Sequence, residues 1–332
     1  MEYRTLGKTG LRVSALGFGC GGVGGLLVGD NYPMMLRVVE RAIAAGINYF
    51  DTAQLYGDGR SELNLGRVLQ ALKPEVVVGS KVQLTAAEME RPEMAISAAV
   101  EVSLKRLQLE QLDLFQLHNP IALERRPEQR WLGIADVEPV AQAFERLRAQ
   151  GKIRFWGINA LGETEALHRA VAASGADTVQ VCYNLLNPSA GQVMPPGFPF
   201  QDYRQLIPQA AIVDMGVIAF RIMAGGALSG QAARHPVAAQ VVAPIASSAD
   251  FMTDVAQSQC FQFLEAEGWA ESLTEAAIRF ALNQAGISTA VIGLSSLEQL
   301  EQALATTKKG PLPPDALSRL PQVWVSLGKW VD

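Results

Sequence analysis

The chain has 332 residues, 49% of them hydrophobic and 18% charged, with a formal net charge of -5. So much apolar material excludes a disordered chain, and the mild acidic balance, with no long basic run, excludes an electrostatic footprint for nucleic acid. A charged fraction below the usual quarter fits strands covered on both faces by helices.

No apolar run reaches the length of a membrane span, and Met1-Glu2-Tyr3-Arg4-Thr5 lacks the apolar core of a signal peptide. A cytoplasmic protein that does not engage membranes is therefore expected. Cys20, Cys182 and Cys260 are odd in number, widely spaced and without a Cys-x-x-Cys pair. Reduced thiols are expected rather than disulfides, and no metal site.

In chain order, residues 3–14 alternate around Gly7-Lys8-Thr9-Gly10 and predict a β-hairpin. Leu16-Gly17-Phe18-Gly19 predicts a first core strand, followed by a Gly-rich loop to Gly29 and a helix from about Pro33 to Ala45, ended by Gly46. The rhythm then repeats: a strand over Ile47–Asp51, a helix from Ser61, a strand over Val76–Lys81, a helix from Ala95 to Leu107, a strand over Leu112–His118. A helix from Val137 to Gln150 ends at Gly151 and leads to a strand over Lys152–Asn159. Helices at Thr164–Ala173 and near Tyr203–Asp214 lead to strands at Asp177–Cys182 and Gly216–Phe220. A helix over Leu273–Gln284 precedes the strand Ser288–Gly293, and a last helix starts at Leu297. Eight strands alternating with helices, without a composition break, predict one α/β domain over 1–332, a (β/α)8 TIM barrel with an N-terminal β-hairpin. The long loop after strand 7, about 222–270, is too long for a simple connection and predicts a lid of partly helical structure.

Gly17-Phe18-Gly19-Cys20-Gly21-Gly22 satisfies the G-x-G-x-x-G pattern, but a dinucleotide-binding turn should open a helix at the third glycine. Here the chain runs on through Val23-Gly24-Gly25 and Asn31 before a helical pattern begins. A mobile loop at the barrel rim is the better reading.

The stronger signal is a set of four ionisable groups at three strand ends. Ile47-Asn48-Tyr49-Phe50-Asp51 delivers a carboxylate, with the phenol of Tyr56 just beyond it; Val76-Val77-Val78-Gly79-Ser80-Lys81 ends on an amine; Leu112-Asp113-Leu114-Phe115-Gln116-Leu117-His118 ends on an imidazole. Ending an apolar strand on a lysine costs free energy unless the charge is paired, and Asp51 is the available partner. Singly, each residue has a plain structural reading as a cap, a loop aromatic, a solvated charge or a satisfied buried histidine.

Asp51-x4-Tyr56-Gly57, Lys81 and Leu117-His118-Asn119-Pro120, in this order and spacing, resemble the catalytic tetrad of the aldo-keto reductases. Gly46-Ile47-Asn48-Tyr49-Phe50-Asp51-Thr52-Ala53, Gly151-Lys152-Ile153-Arg154, Gln180 with Tyr183-Asn184-Leu185-Leu186-Asn187, and Ile292-Gly293-Leu294-Ser295-Ser296-Leu297 extend the resemblance over nearly the whole chain. It implies an NAD(P)(H)-dependent reductase that interconverts an aldehyde or ketone, or a sugar, and its alcohol by hydride transfer, as a monomer or small homo-oligomer. A free tyrosine, with a pKa of about 10, is a poor acid-base group near neutrality unless its phenolate is stabilised. The resemblance makes Tyr56 the general acid-base, Lys81 the cation that lowers its pKa, Asp51 the partner of Lys81, and His118 the group that orients the carbonyl.

For the cofactor, the resemblance implies Gln180 on the nicotinamide carboxamide, Phe220 stacked on the ring, and Asn159 keeping one hydrogen bond where Ala160 cannot. It implies Gly21 beside the cofactor, and Gly293, Ser295, Gln299 and Gln302 near the adenosine, with Arg221 as a phosphate ligand. Gln299 stands where the family often carries arginine, and Gln302-Ala303 where it carries Glu-Asn, which weakens one basis for preferring NADPH. By family habit NADP(H) is placed ahead of NAD(H). Trp156 is expected in the core; Trp131, Trp324 and Trp330 are candidates for either a substrate pocket or surface packing; Met223 and Leu228 are expected to pack. Two rivals remain: a Schiff-base aldolase acting through Lys81, and a cofactor-binding redox-sensing or regulatory subunit with slow turnover.

Overall fold

The computed structural model describes residues 1–330, with Trp330 described through its backbone alone. The pocket role weighed for the Trp330 side chain thus lies outside the described residues. Eight parallel strands close into a barrel: β1 (Leu16–Gly19), β2 (Tyr49–Asp51), β3 (Val77–Val82), β4 (Leu112–Leu117), β5 (Ile153–Asn159), β6 (Thr178–Cys182), β7 (Gly216–Phe220) and β8 (Ile287–Gly293). Each strand pairs with its sequence neighbours, and β8 pairs with β1 to complete the ring. This is the (β/α)8 TIM barrel that the alternating pattern predicts.

Helices α1 (Tyr32–Ala44), α2 (Arg60–Leu72), α3 (Pro92–Leu107), α4 (Val137–Ala149), α5 (Thr164–Ala173) and α6 (Leu206–Ile212) connect the first seven strands. Local chemistry sets their ends. Asn31 accepts from the backbone N–H of Met34 at the start of α1, and Gly46 and Gly151 adopt positive φ just past α1 and α4. Helix α6 is shorter than the stretch 203–214 predicts, because Arg204 and Gln205 both have left-handed backbones ahead of it.

Two apolar cores result. One lies between strands and helices, where Trp156 is buried and stacks on Phe144 at 5.3 Å. The other fills the lower lumen with Tyr49, Val77, Leu114, Ile218 and Val291, and the hairpin Tyr3–Thr5 with Arg12–Ser14 closes that end through Leu6, Leu11 and Val13. Gly7 makes the closure possible: its φ is +49°, and a Cβ there would lie 2.2 Å from the backbone nitrogen of Gly216.

The lid after β7 holds α7 (Phe251–Ser258) and short helical turns, before α8 (Leu273–Leu282) returns to the barrel. α9 (Leu297–Thr306) is not the last helix: α10 (Pro314–Ser326) follows it. Three prolines disguise α10 in the sequence; Pro313 and Pro314 suit a helix start, whereas Pro321 lies inside it. Among the described residues no helix is long and apolar enough to cross a membrane, and no His/Cys/Asp/Glu group could hold a metal ion.

The plug contact predicts a contrast between two glycines. Gly7→Ala combines positive φ with a backbone clash and should lower stability by about 2–4 kcal/mol. Gly10→Ala, at φ +71° with nothing within 4 Å, should cost about 1 kcal/mol. Thermal denaturation of the two variants beside the parent measures the difference.

Candidate active site

The carboxyl ends of the strands present the polar groups. Asp51 ends β2, and in the parallel register it pairs with Gly79 of β3. Side chains alternate along a strand, so Lys81, two residues beyond Gly79, returns to the same inner face. Lys81 Nζ donates to Asp51 Oδ2 at 2.5 Å, to the Thr52 carbonyl at 2.8 Å and to Tyr56 Oη at 3.2 Å. The lysine side chain is 0% exposed and that of Asp51 7%. A buried ion pair is tolerable only with its remaining hydrogen bonds made, and these three acceptors use every proton of the ammonium.

The loop after β2 holds Tyr56 rigidly. Thr52 and Ser61 hydroxyls share a 2.7 Å hydrogen bond, Ser61 Oγ donates to the Cys20 carbonyl, and the Ser61 N–H donates to the Tyr56 carbonyl. A Cβ on Gly21 would come within 3.3 Å of the Tyr56 ring, so glycine leaves the phenol its space. His118 follows β4, its N–H bonded to the Val82 carbonyl, and its ring meets Tyr56 edge-on at 5.9 Å. Asn119 ties the loops after β3 and β4 together, accepting from the Leu84 N–H and donating to the carbonyls of Leu84 and Arg130.

Electrostatics differ in one respect from expectation. Burial disfavours the Lys81 ammonium, but Asp51 and Tyr56 more than offset it, so Lys81 is held above its usual range. For Tyr56, burial raises the pKa, Lys81 pulls it down and Asp51 pushes it up; the net direction is upward. The expected depression by Lys81 is present but outweighed, because the same site that supplies the cation also removes water and adds a carboxylate. Burial, helped by Lys81, pulls His118 down to about 3, so its imidazole is neutral, and its Nδ1 has no protein partner.

These groups border a cavity of about 450 Å³. Asp51, Tyr56 and His118 line it, while Lys81 stands behind them. Asn159, Gln180, Phe220, Arg221 and Gly21 line the adjoining part; Gly293 and Ser295, after β8, and Gln299 and Gln302, on α9, line the far end. All nine residues of the sequence-derived cofactor set thus share one cavity. Asn159 Oδ1 is buried without a partner. Arg221, in a left-handed backbone, donates to the Ala243 carbonyl and pairs with no carboxylate among the described residues. An unsatisfied amide oxygen at one point and a guanidinium without a counter-ion at another fit a dinucleotide with a carboxamide and a pyrophosphate.

Gln180 lines the cavity and also joins the ionisable cluster, its Nε2 donating to Asp51 Oδ1 at 2.6 Å. Gln299 Oε1 accepts from the Ser295 N–H at 2.8 Å. The lid roofs the cavity. Arg234, unmarked in the sequence, donates to the carbonyls of Val23, Gly225 and Ala239, and the Ala239 N–H donates to the Gly22 carbonyl. The Gly-rich loop is the ledge on which this lid rests; it holds one 3-10 turn, Leu26–Val28, and no α-helix starts until Tyr32. Met223 lines the cavity rather than only packing, whereas Leu228 is buried core. Trp324 is 4% exposed and donates to the Leu185 carbonyl, and Trp131 lies under Arg126; neither borders the cavity. Tyr49 was missed as a site residue, although its position two before Asp51 on one strand face signals it; its Oη reaches Asp51 Oδ1 at 3.4 Å.

The model of the Aldo/keto reductase family matches residues 15–325, and the chain belongs to that family. It is 28% identical over 315 residues to the L-galactose dehydrogenase of Arabidopsis thaliana, covering 92% of this chain and 88% of that one. A D-threo-aldose 1-dehydrogenase from a Pseudomonas species is 35% identical over 215 residues, covering 56% of this chain and 62% of its own. In fold it is similar to the holo form of an aldo-keto reductase from Bacillus halodurans, with a TM-score of 0.71 at 24% identity over 98% of this chain and 96% of that one.

The Asp51–Lys81 pair yields a stability prediction. Lys81→Met should cost about 3–5 kcal/mol by stranding a buried carboxylate, and adding Asp51→Asn should restore part of the loss. Urea unfolding of the two single variants and the double variant measures the coupling.

Proposed function

We propose that the protein is a nicotinamide-dependent oxidoreductase that interconverts an aldose, or another small aldehyde or ketone, and its alcohol form. The observation that carries this reading is the convergence of Asp51, Thr52 and Tyr56 on one buried ammonium, that of Lys81. Bound reduced nicotinamide would supply hydride to the carbonyl carbon. Tyr56 gives the proton to the carbonyl oxygen, and the phenolate left behind faces the Lys81 ammonium at 3.2 Å, which offsets its charge. Neutral His118 borders the same space and offers a ring N–H to the oxygen. Asn159 would hold the carboxamide, the Phe220 ring the nicotinamide face, and Arg221 the pyrophosphate. The L-galactose dehydrogenase and D-threo-aldose 1-dehydrogenase among the relatives support a sugar as the substrate class, with the C1 hydroxyl of a cyclic aldose as the alcohol when the reaction runs as oxidation.

Lys81 as a Schiff-base nucleophile has less support. That chemistry needs a neutral amine open to substrate, whereas Lys81 is paired, held protonated, and set back from the cavity.

For the cofactor we favour NAD(H) over the NADP(H) that family habit suggests. Gly24, Leu294, Ser295, Gln299 and Gln302 line the far end and carry no positive charge. The Ser295 N–H, one donor a 2′-phosphate would seek, is taken by Gln299. Arg234 directs its donors to three carbonyls.

Tyr56→Phe should lower turnover by about 10²–10⁴-fold while cofactor affinity, followed by fluorescence titration, stays within about twofold. Surviving turnover would sink the assignment. Because burial holds the Tyr56 hydroxyl above its ordinary pKa and so keeps the acid protonated, the rate of carbonyl reduction should stay level from about pH 6 to 9 and fall only beyond. A limb near pH 7 in that profile would contradict it. Comparison of kcat/KM should place NADH ahead of NADPH, and Gln299→Arg should shift the ratio toward NADPH by about tenfold or more.

A further inference from the structure

The lumen just below Asp51 carries polar groups where barrels of this kind are usually filled by branched apolar side chains. Tyr49, Gln116, Thr178 and Thr289 come from the alternate strands β2, β4, β6 and β8, and all are fully buried. The strands between them supply glycine at inward positions. A Cβ on Gly17 would meet Thr289 Oγ1 at 2.9 Å and the Tyr49 ring at 3.0 Å. One on Gly79 would meet Tyr49 Oη at 2.8 Å and lie 3.7 Å from Gln116 Nε2, and one on Gly157 would meet Thr178 Oγ1 and Gln116 Cγ. The three glycines therefore leave room for the polar side chains of the neighbouring strands, which pack into the space a Cβ would take.

Gln116 Nε2 and Oε1, Thr178 Oγ1 and Thr289 Oγ1 have no hydrogen-bond partner in the protein. Leaving such groups unsatisfied costs about 1–3 kcal/mol each, and buried water commonly removes that cost by bonding to two to four of them. Leu6, Leu11 and Val13 seal the lumen from below. Above, Tyr49 Oη donates to Asp51 Oδ1, the oxygen that also takes the Gln180 amide, while Oδ2 serves Lys81.

We propose that the lumen beneath Asp51 binds internal water through Gln116, Thr178 and Thr289, and that Tyr49, at the top of this polar level, is a positioning residue for the Asp51 carboxylate. The second part rests on the proposed function: if the Gln180 amide turns to a cofactor carboxamide, Tyr49 remains as the donor on Asp51 Oδ1. Asp51 then keeps its orientation toward Lys81, and Lys81 toward Tyr56, through the reaction.

A crystal structure of the protein at a resolution that shows solvent tests the water site directly. At least one ordered water should lie within hydrogen-bond distance of the Gln116 amide and a threonine hydroxyl, and it should vanish in Gln116→Met with the fold retained. A dry lumen, or a Gln116 amide bonded to protein groups, overturns the site. For Tyr49, the variant Tyr49→Phe keeps the ring and removes Oη. Its kcat should fall by about tenfold to a hundredfold, with KM and cofactor affinity within about twofold. An unchanged kcat, or a loss that follows only a lower Tm and weaker cofactor binding, overturns the positioning role. Tight cofactor binding without turnover by the unaltered protein, on aldoses and carbonyls alike, overturns the catalytic reading and the Tyr49 role with it. The water site is judged on electron density and is unaffected by that result.

Discussion

The ammonium of Lys81 is the point on which the upper barrel depends. Burying it completely is costly, and the cost is met by three acceptors from one short segment: Asp51, the Thr52 carbonyl and Tyr56. That demand fixes the order of events along the chain. β2 must end on the carboxylate, the following loop must double back to bring the phenol within reach, and β3 must run beside β2 in the register that sets Lys81 above Gly79. A one-residue slip of β3 would turn Lys81 outward and strand Asp51. Charge satisfaction and strand register are here one constraint.

The cavity above this pair is shaped by close backbone approaches rather than by bulky walls. Gly21 admits the Tyr56 ring, Gly24 lets the first loop lie against Leu294, and Gly25 meets Val237 of the lid so closely that any side chain would collide. The lid therefore seats on the Gly-rich loop, with Arg234 bridging the two through backbone carbonyls. Recognition of a long ligand by such a cleft relies on backbone cradle at the middle and on a few polar groups at its ends.

Two electrostatic features set limits on the chemistry. Burial makes His118 neutral, so its imidazole brings no charge to the cavity. Burial also raises the Tyr56 pKa, against the pull of the Lys81 ammonium 3.2 Å from its hydroxyl. At the far end, Gln299 closes on the start of its own helix by accepting from the Ser295 N–H.

Much of this protein was legible in the sequence because its signals are local or periodic. Val-rich runs spaced by helical stretches gave the barrel, Gly46 and Gly151 marked helix ends, and the three strand ends named Asp51, Tyr56, Lys81 and His118. Helix α10 escaped because Pro321 breaks the local rule that tertiary packing then overrides, with Trp324 anchored on the Leu185 carbonyl. What only the tertiary structure decided are relations between distant segments: Gln180 turned onto Asp51 across 129 positions, Arg234 latched to Val23, the Tryptophan side chains of 131 and 324 set away from the cavity, and Tyr56 raised rather than lowered. The physical reason is the same in each case. Sequence spacing specifies which residue stands on which face of an element, whereas desolvation and competition for hydrogen bonds depend on everything that closes around it.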